Sequence, residues 1–443
     1  MSQLPFHYLL AIKTPYSPLQ MLTGRSHETL NSVHQLLGRV VTILLYLHAG
    51  LYLNFYIAKD LLGSKIKEFY VICGIFSIIA FTIVGTTALG AVRRRSYRVF
   101  YTVHVALATL LLPVLYFHAD HLRVYIYETA LVYILSATMR ALATQRSEGT
   151  IRRLPDTNLL ELDLPLAGTR KLLCSWQPGQ HAYVSLAGHP MLRTFKSNPF
   201  TVASIPEVDG RLRFVARILD GNTAKLASSA DKTMQQLTIE GPYGLATHGD
   251  RLLRYDRVLF VAGGVGATFI LPLYRQLLAN LSPSKGSYRR QKVNFVWTVR
   301  TKAEMLWALP EDEKEREGFV ERLSVCITRA ATDPDDTIAG HFSVGAEDDG
   351  AQDEDGIELA EHKDLLSQEE REQHSAADGI PTFAGRPDLG RLIHQTFTQG
   401  EFDERVAIVV CGPRSLSRAL RRQVGRWVRR GRDAWFWEES FAF

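Results

Sequence analysis

Long apolar runs fill the first third of the chain, and short runs separated by Gly and Pro fill the remainder. A helix needs about 20 apolar residues to cross a bilayer core. Four runs satisfy this requirement: 36–58, 69–92, 99–117 and 124–142. The second carries no charge before Arg93, whereas Glu128 and Arg140 interrupt the fourth. The pattern predicts an α-helical transmembrane bundle of four helices over residues 1–145.

Beyond residue 150 the pattern changes to short strands. Alternating or apolar runs at 158–164, 181–186, 212–218 and 236–239 predict a small β-barrel over residues 146–250. Largely apolar strands at 257–262, 293–299 and 406–410 are separated or followed by helical segments. Strands that alternate with helices are typical of a parallel sheet. We therefore predict a doubly wound α/β domain over residues 251–443.

Two pairs of histidines have the same spacing within the predicted membrane helices. His34 and His48 are 14 residues apart, as are His104 and His118. At about 100° and 1.5 Å per residue, the members of a pair share a helix face and lie roughly 21 Å apart along the axis. Four unrelated structural histidines are the alternative, but polar groups inside a membrane are costly and usually functional. The repeated spacing favours two stacked bis-histidine haem sites.

Charge sets the expected orientation of these helices. The cluster Arg93, Arg94, Arg95 and Arg98 follows the second helix, and the positive-inside rule places this loop in the cytosol. The first and third helices then run in parallel. We expect His34 to pair with His104 near the inner side and His48 to pair with His118 near the outer side.

The remaining charge is unevenly distributed. Sixteen acidic and two basic residues lie in 331–378, so the charge of this segment is −14. The other residues carry a charge of +19, which brings the net charge of the chain to +5. The segment's low apolar content predicts a disordered acidic insertion over 331–385. The basic excess suits an anionic membrane surface and anionic cofactors, and no basic–aromatic motif for nucleic acid accompanies it. The cysteines show neither disulfide nor metal-ligand spacing, as expected of a reduced cytosolic face: Cys73, Cys174, Cys326 and Cys411.

A glycine-rich turn after the strand at 257–262 lets backbone amides approach a diphosphate. The turn alone is a weak signal, because glycines also serve tight packing. It occurs, however, within an ordered series of motifs: PGQH at 178–181, NPFTVAS at 198–204, Arg217 with GNT at 221–223, GPYG at 241–244, GGVGAT at 263–268, Trp297 with Arg300, CGP at 411–413 and a terminal Phe443. This series resembles the ferric reductase and NADPH oxidase superfamily across nearly the whole chain. The stretch LTGRSHE at 22–28, leading to His34, is most similar to fungal ferric reductases.

The resemblance implies a ferredoxin-NADP reductase-like module, with a β-barrel FAD domain and an α/β NADPH domain, after the haem domain. Residues implied in FAD binding are Pro199, Phe200, Thr201, Val202, Ser204, Arg217, Gly221, Thr223, Gly241, Tyr243 and Gly244. Those implied in NADPH binding are Gly263, Gly264, Gly266, Thr268, Arg300, Gly412 and Pro413. Phe200 and Thr201 would lie beside the isoalloxazine ring, and Arg300 would bind the 2′-phosphate. Cys411 would lie near the nicotinamide, and Phe443 would stack on the flavin until nicotinamide displaces it. His34, His48, His104 and His118 would ligate two b-type haems.

The chain departs from the family in two respects. Asn198 stands where members commonly have His, and the family usually has further transmembrane helices before the segment that opens this chain. The resemblance therefore implies that the N-terminal transmembrane helices are missing, either because the protein is a shortened paralogue or because the chain lacks its natural start.

The expected activity is that of a transmembrane ferric-chelate reductase that uses NADPH. Electrons would pass through FAD and two haems to ferric or cupric chelates, siderophores among them. A superoxide-producing NADPH oxidase and a haem-less remnant acting as a tethered flavin reductase remain alternatives. We expect an integral protein of the plasma membrane, or alternatively of the vacuolar membrane, with cytosolic FAD and NADPH domains. It would contact lipid and, as a further partner, an iron permease or an oxidase, and would not bind nucleic acid.

Overall fold

A computed structural model describes residues 2–14, 17–25, 27–165, 176–186, 197–230, 234–244, 248–281, 292–310, 313–329 and 380–439. The acidic segment 331–378, Cys174 and Phe443 lie outside the described residues. The N-terminal part is helical. Its helices are α1 (Leu4–Ala11), α2 (Pro18–Thr23), α3 (His27–Ala58), α4 (Leu62–Lys65), α5 (Phe69–Thr87), α6 (Gly90–Arg95), α7 (Tyr97–His118) and α8 (Arg123–Leu142).

Three of the four predicted membrane helices are long and apolar enough to cross a bilayer, namely α3, α5 and α7. The fourth, α8, has 20 residues but includes Arg123, Glu128 and Arg140. The helix predicted at 69–92 ends earlier, because α5 stops at Thr87 and the separate α6 begins at Gly90. Three consecutive arginines end α6, and such a cluster is unfavourable in an apolar core.

The second part is a six-stranded antiparallel barrel. Its strands are β1 (Thr144–Arg153), β2 (Leu159–Pro165), β3 (His181–Leu186), β4 (Asn198–Thr201), β5 (Arg211–Arg217) and β6 (Gln235–Tyr243), in the order β4-β3-β6-β1-β2-β5. A bridge between Val202 and Phe214 joins the two ends of this order and closes the barrel. Two short helices, α9 (Pro206–Asp209) and α10 (Asn222–Ser228), flank β5.

The third part is a parallel six-stranded sheet with helices, as predicted. The strands are β7 (Arg257–Gly263), β8 (Lys292–Val299), β9 (Leu323–Ile327), β10 (Thr382–Ala384), β11 (Val406–Cys411) and β12 (Ala434–Glu439). The helices are α11 (His248–Leu252), α12 (Ala267–Leu281), α13 (Glu313–Val320), α14 (Leu389–Thr398) and α15 (Arg414–Arg429). The order β10-β9-β8-β7-β11-β12 reverses direction between β7 and β11. In such sheets ligands bind at the carboxyl ends of the strands beside this reversal.

The acidic insertion was predicted over 331–385, but the last residues of this range form a strand. Thr382–Ala384 form β10 and pair in register with Val325–Ile327 of β9. Charge and composition identified the acidic segment, but they did not reveal this short strand, which has only three residues.

Candidate functional site

The two predicted histidine pairs each lie together in the structure. The ring centroids of His34 and His104 are 6.3 Å apart, and those of His48 and His118 are 6.4 Å apart. The lower-numbered histidine of α3 pairs with the lower-numbered histidine of α7, and the two higher-numbered ones pair with each other. The two helices are therefore parallel, as predicted. A metal–imidazole bond is about 2.0 Å and the ring centroid lies about 1.1 Å further on, so two imidazoles on opposite sides of one metal ion have centroids about 6.2 Å apart. Both pairs therefore fit bis-imidazole ligation of a haem iron.

Backbone carbonyl groups fix the orientation of one ring in each pair. His34 Nδ1 lies 3.1 Å from the carbonyl oxygen of His7, and His118 Nδ1 lies 2.8 Å from that of Tyr70. A carbonyl oxygen can only accept, so each Nδ1 carries the proton and donates it. Each Nε2 then keeps its lone pair for a metal, the usual arrangement of metal-binding histidines.

Close packing against α5 also positions His118. A Cβ atom placed on Gly74 would lie 2.6 Å from His118 Cε1, so any side chain at this position would displace the ring. Sequence reasoning did not identify Gly74, because one glycine in an apolar helix gives no indication of which ring it contacts.

The described residues contain no cluster of three or more His, Cys, Asp or Glu side chains that could hold a metal ion.

The proposed flavin segment lies on and after β4, and its side chains are largely buried. Phe200 belongs to the barrel core with 6% exposure, and its place beside an isoalloxazine ring stays a prediction. The hydroxyl of Ser204 donates to Arg211 O at 2.9 Å and accepts from Arg213 N at 3.0 Å. The hydroxyl of Thr223 is similarly occupied with the backbone of Leu219.

A pair of arginines flanks the glycine turn. A Cβ atom on Gly264 would lie 3.3 Å from Arg217 Nη2, so the guanidinium at the end of β5 covers this turn. Burial lowers the pKa of Arg217 from its ordinary value, and the positive charge of Arg300 lowers it further, whereas Glu304 opposes this. Two cations at the mouth of a glycine turn form a suitable site for an anion such as a diphosphate.

The glycines of the turn also permit close packing between β7 and β11. A Cβ atom on Gly266 would lie 2.7 Å from the carbonyl carbon of Cys411, and one on Gly263 would lie 2.7 Å from Pro413 Cδ. The indole Nε1 of Trp297 donates to Gly264 O at 2.9 Å, which fixes the carbonyl of the turn. The structure therefore brings the predicted 263–268 and 411–413 motifs together at the reversal point of the sheet.

Cys411 is fully buried at the end of β11 and belongs to the core of the nucleotide domain. Burial raises the pKa of its thiol well above the ordinary value, and the charge of Glu439 adds to this effect. The thiol is therefore protonated at neutral pH, which argues against a nucleophilic role. Any effect on a nicotinamide would come through the position of the backbone.

Comparison with known proteins agrees with this arrangement. Residues 1–115 match the model described as ferric reductase like transmembrane component, residues 145–247 match the FAD-binding domain, and residues 255–425 match the ferric reductase NAD binding domain. The chain belongs to the ferric reductase family. It is a membrane protein with FAD-binding and NAD-binding domains.

Several relatives of this family member are fungal. It is 23% identical over 420 residues to the probable metalloreductase AIM14 of Meyerozyma guilliermondii, covering 93% of this chain and 76% of that protein. It is 24% identical to the ferric/cupric reductase transmembrane component 2 of Saccharomyces cerevisiae, covering 89% of this chain and 53% of that protein. The chain thus spans about half the length of the latter. Among solved structures, a ferredoxin NADP+ reductase from Neisseria gonorrhoeae aligns with a TM-score of 0.41 and 14% identity, covering 67% of this chain and 98% of that one.

In this ferric reductase family member, a buried ion pair joins α8 to the FAD barrel. Arg140 Nε and Nη2 donate to the two carboxylate oxygens of Glu240 at 2.7 and 3.1 Å. The hydroxyl of Tyr243 donates to the same carboxylate at 2.5 Å. Burial and the neighbouring Glu240 charge raise the pKa of Tyr243 above its usual value. Sequence reasoning treated Arg140 only as an interruption of an apolar helix and assigned Tyr243 to FAD binding.

A second contact joins the segment after α1 to the same barrel. Lys13 Nζ donates to the hydroxyl of Tyr183 on β3, and the hydroxyl of Tyr243 lies 3.4 Å from Lys13 O. His7, six residues earlier, contacts His34. The His34–His104 pair therefore lies at the end of the bundle that carries the barrel.

The aromatic residues near the C-terminus are part of the sheet. Trp435 stacks on Tyr255 with centroids 5.5 Å apart, and Trp437 contacts Phe269 edge-on at 5.1 Å. Both lie on β12, which pairs with β11. The strand fixes the chain up to Glu439, and the predicted stacking of Phe443 remains a prediction.

Proposed function

We propose that this protein is a transmembrane metalloreductase that uses NADPH to reduce a ferric or cupric chelate across the membrane. Support comes from the three ordered domain matches, from the names of the fungal relatives, and above all from the geometry of the two histidine pairs. Pairs at 6.3 and 6.4 Å on parallel helices provide two bis-imidazole sites in series. This series is what an electron needs to cross the bundle.

Residues of this chain would hold the cofactors in the order in which electrons pass between them. Arg217 and the turn at 263–266 would bind diphosphate groups, and Arg300 would bind the 2′-phosphate of NADPH. His34 with His104 and His48 with His118 would each hold a b-type haem. When bound, FAD would supply the change from two-electron hydride transfer to single-electron transfer, and the haems would supply one-electron carriers. The protein supplies their order, since the barrel contacts the His34–His104 end of the bundle.

The arginine cluster 93–98 supports a cytosolic location for the barrel and the nucleotide domain. Chelate would then be reduced on the outer side, near His48 and His118. We place the protein in the plasma membrane, with the vacuolar membrane as the alternative, and we propose an iron permease or an oxidase as a membrane partner.

A comparison of acceptors tests this proposal. Full-length protein in nanodiscs, loaded with FAD and haem, should oxidise NADPH at a rate that depends on added ferric chelate. Oxygen consumption without chelate should be slow. Rapid superoxide formation with no chelate dependence would instead indicate an NADPH oxidase. Turnover with a soluble dye alone would indicate a tethered flavin reductase.

Arg300→Ala is expected to weaken NADPH binding far more than NADH binding, because only NADPH carries the 2′-phosphate. A charged hydrogen bond contributes about 1.5–3 kcal/mol, so the loss should be roughly tenfold to a hundredfold. Dissociation constants for both nucleotides measure the effect. Arg418→Ala, which changes an exposed arginine on α15, serves as the control. Equal losses for NADPH and NADH in Arg300→Ala would assign this residue to folding.

Deleting residues 335–378 and joining the ends with a short Gly/Ser linker should preserve FAD content and NADPH turnover. A segment of this composition buries too little apolar surface to offset the entropy of ordering. The flanking strands pair directly, with Val325 N donating to Pro381 O at 2.9 Å. Flavin content by absorbance is the measurement, and a loss of flavin would show that the segment packs against the domain.

A further inference from the structure

A third histidine contacts the inner pair. His7, on α1, stacks on His34 with ring centroids 3.9 Å apart and an interplanar angle of 25°. Its backbone carbonyl accepts the His34 Nδ1 proton at 3.1 Å. One residue thus contacts His34 in two ways, through its ring face and through its backbone.

The fit of His7 against α3 is close. A Cβ atom on Gly38 would lie 3.3 Å from His7 Cε1. Gly38 comes one helical turn after His34 on the same helix, so the His7 ring lies in the space that this glycine leaves. The stack covers the face of His34, whereas a metal bond forms in the plane of the ring at Nε2. Stacking and ligation are therefore compatible.

The outer pair lacks this arrangement within the described residues. His118 has the equivalent carbonyl contact with Tyr70, but the Tyr52 ring beside its partner His48 is tilted by 51°, with the ring centroids 4.7 Å apart. The tilt of Tyr52 restricts rotation of His48 less than a parallel ring would. The two sites therefore differ in how firmly one imidazole plane is held.

We propose that His7 is a positioning residue for the inner site, because its stacked ring fixes the plane of His34, while the backbone carbonyl of residue 7, which any substitution keeps, fixes the tautomer. This inference rests on the proposed function, since it assumes that His34 and His104 hold a haem. His7 itself donates no bond to the metal. The angle between the two imidazole planes of a bis-histidine haem affects its spectrum, and the outer-shell partner of a ligand affects metal affinity.

The test uses full-length protein loaded with haem, with His7→Ala and His7→Phe compared with the unaltered chain. His7→Ala removes the stacked ring but keeps the carbonyl bond to His34 Nδ1, and we expect changed low-spin EPR g values for the inner haem and retention weakened by up to about tenfold, the lower end of the effect of losing an outer-shell partner. His7→Phe keeps a flat ring, so it should restore both properties. The outer signal should be unchanged in both variants. His121→Ala, at an exposed histidine beyond the outer end of α7, is the control.

The outcomes separate a failure of the role of His7 from a failure of the proposed function. Unchanged inner signals in His7→Ala overturn the proposal, as does a His7→Phe variant as impaired as His7→Ala. If the unaltered protein shows no bis-histidine haem, the proposed function fails before His7 is tested. If it shows two such haems and His7 has no effect, only the role of His7 fails.

Discussion

His118→Ala is expected to abolish chelate reduction while leaving the cytosolic half active. The substitution removes one of two ligands at the outer site, whose partner His48 has its ring centroid 6.4 Å away. Loss of a direct ligand should exceed the roughly 10- to 100-fold effect of losing an outer-shell partner. The inner pair is untouched, so the inner haem and the flavin should remain bound.

Two rates measured on the same preparation test this expectation. NADPH-dependent reduction of a membrane-impermeant chelate should disappear, whereas reduction of a soluble dye at the cytosolic face should persist. His48→Ala should have the same effect, and His121→Ala should have none. Retention of two haems per chain in His48→Ala or His118→Ala would show that the assigned pairing is wrong.

Arg140→Ala is expected to loosen the FAD barrel from the membrane bundle. The side chain of Glu240 is 4% exposed and would lose both hydrogen bonds from the guanidinium. Removing one partner of a buried ion pair costs about 3–5 kcal/mol, and the lower end applies because Arg140 is 31% exposed and Tyr243 still donates to the carboxylate. The temperature at which heating releases the flavin, measured by flavin fluorescence, should therefore fall.

A matched comparison separates this pair from ordinary surface charge. Asp120→Ala breaks an exposed pair with Arg123 and should change stability by about 0–1 kcal/mol. Arg140→Lys keeps the charge but loses the two-pronged contact, so its effect should be intermediate. In stopped-flow measurements, hydride transfer to flavin should stay near normal in Arg140→Ala, and reduction of the inner haem should slow. Equal stability of Arg140→Ala and Asp120→Ala would contradict the assigned role.

The sequence was most informative where periodicity and chemistry coincided. The 14-residue spacing predicted both histidine pairs, because helical geometry fixes which side chains share a face. The order of the predicted membrane helices predicted that α3 and α7 run in parallel. The strand predicted at 181–186 has the same bounds as β3, since its apolar alternation is regular. The order of the motifs was sufficient to predict the barrel and the doubly wound sheet.

Other features depend on tertiary contacts that no local pattern encodes. β1 escaped prediction because its ten residues include four charged ones, yet it pairs with both β2 and β6. His7 has no partner at the 14-residue spacing, and its role becomes visible only when α1 packs on α3. The motifs of Cys411 and Phe200 gave no sign that both side chains are buried in cores, and their assignment to cofactors stays a prediction.

The central claim is that the two histidine pairs hold two haems in series, and an absorbance and EPR study of the full-length protein tests it most directly. Purified from membranes of haem-replete cells and reduced with dithionite, the protein should show the sharp bands of low-spin b-type haem at two haems per flavin. The oxidised protein should give two bis-imidazole EPR signals, one of which disappears in His118→Ala and the other in His34→Ala. A flavin-replete preparation with no haem absorbance, or with a single signal that is insensitive to both substitutions, would contradict the account.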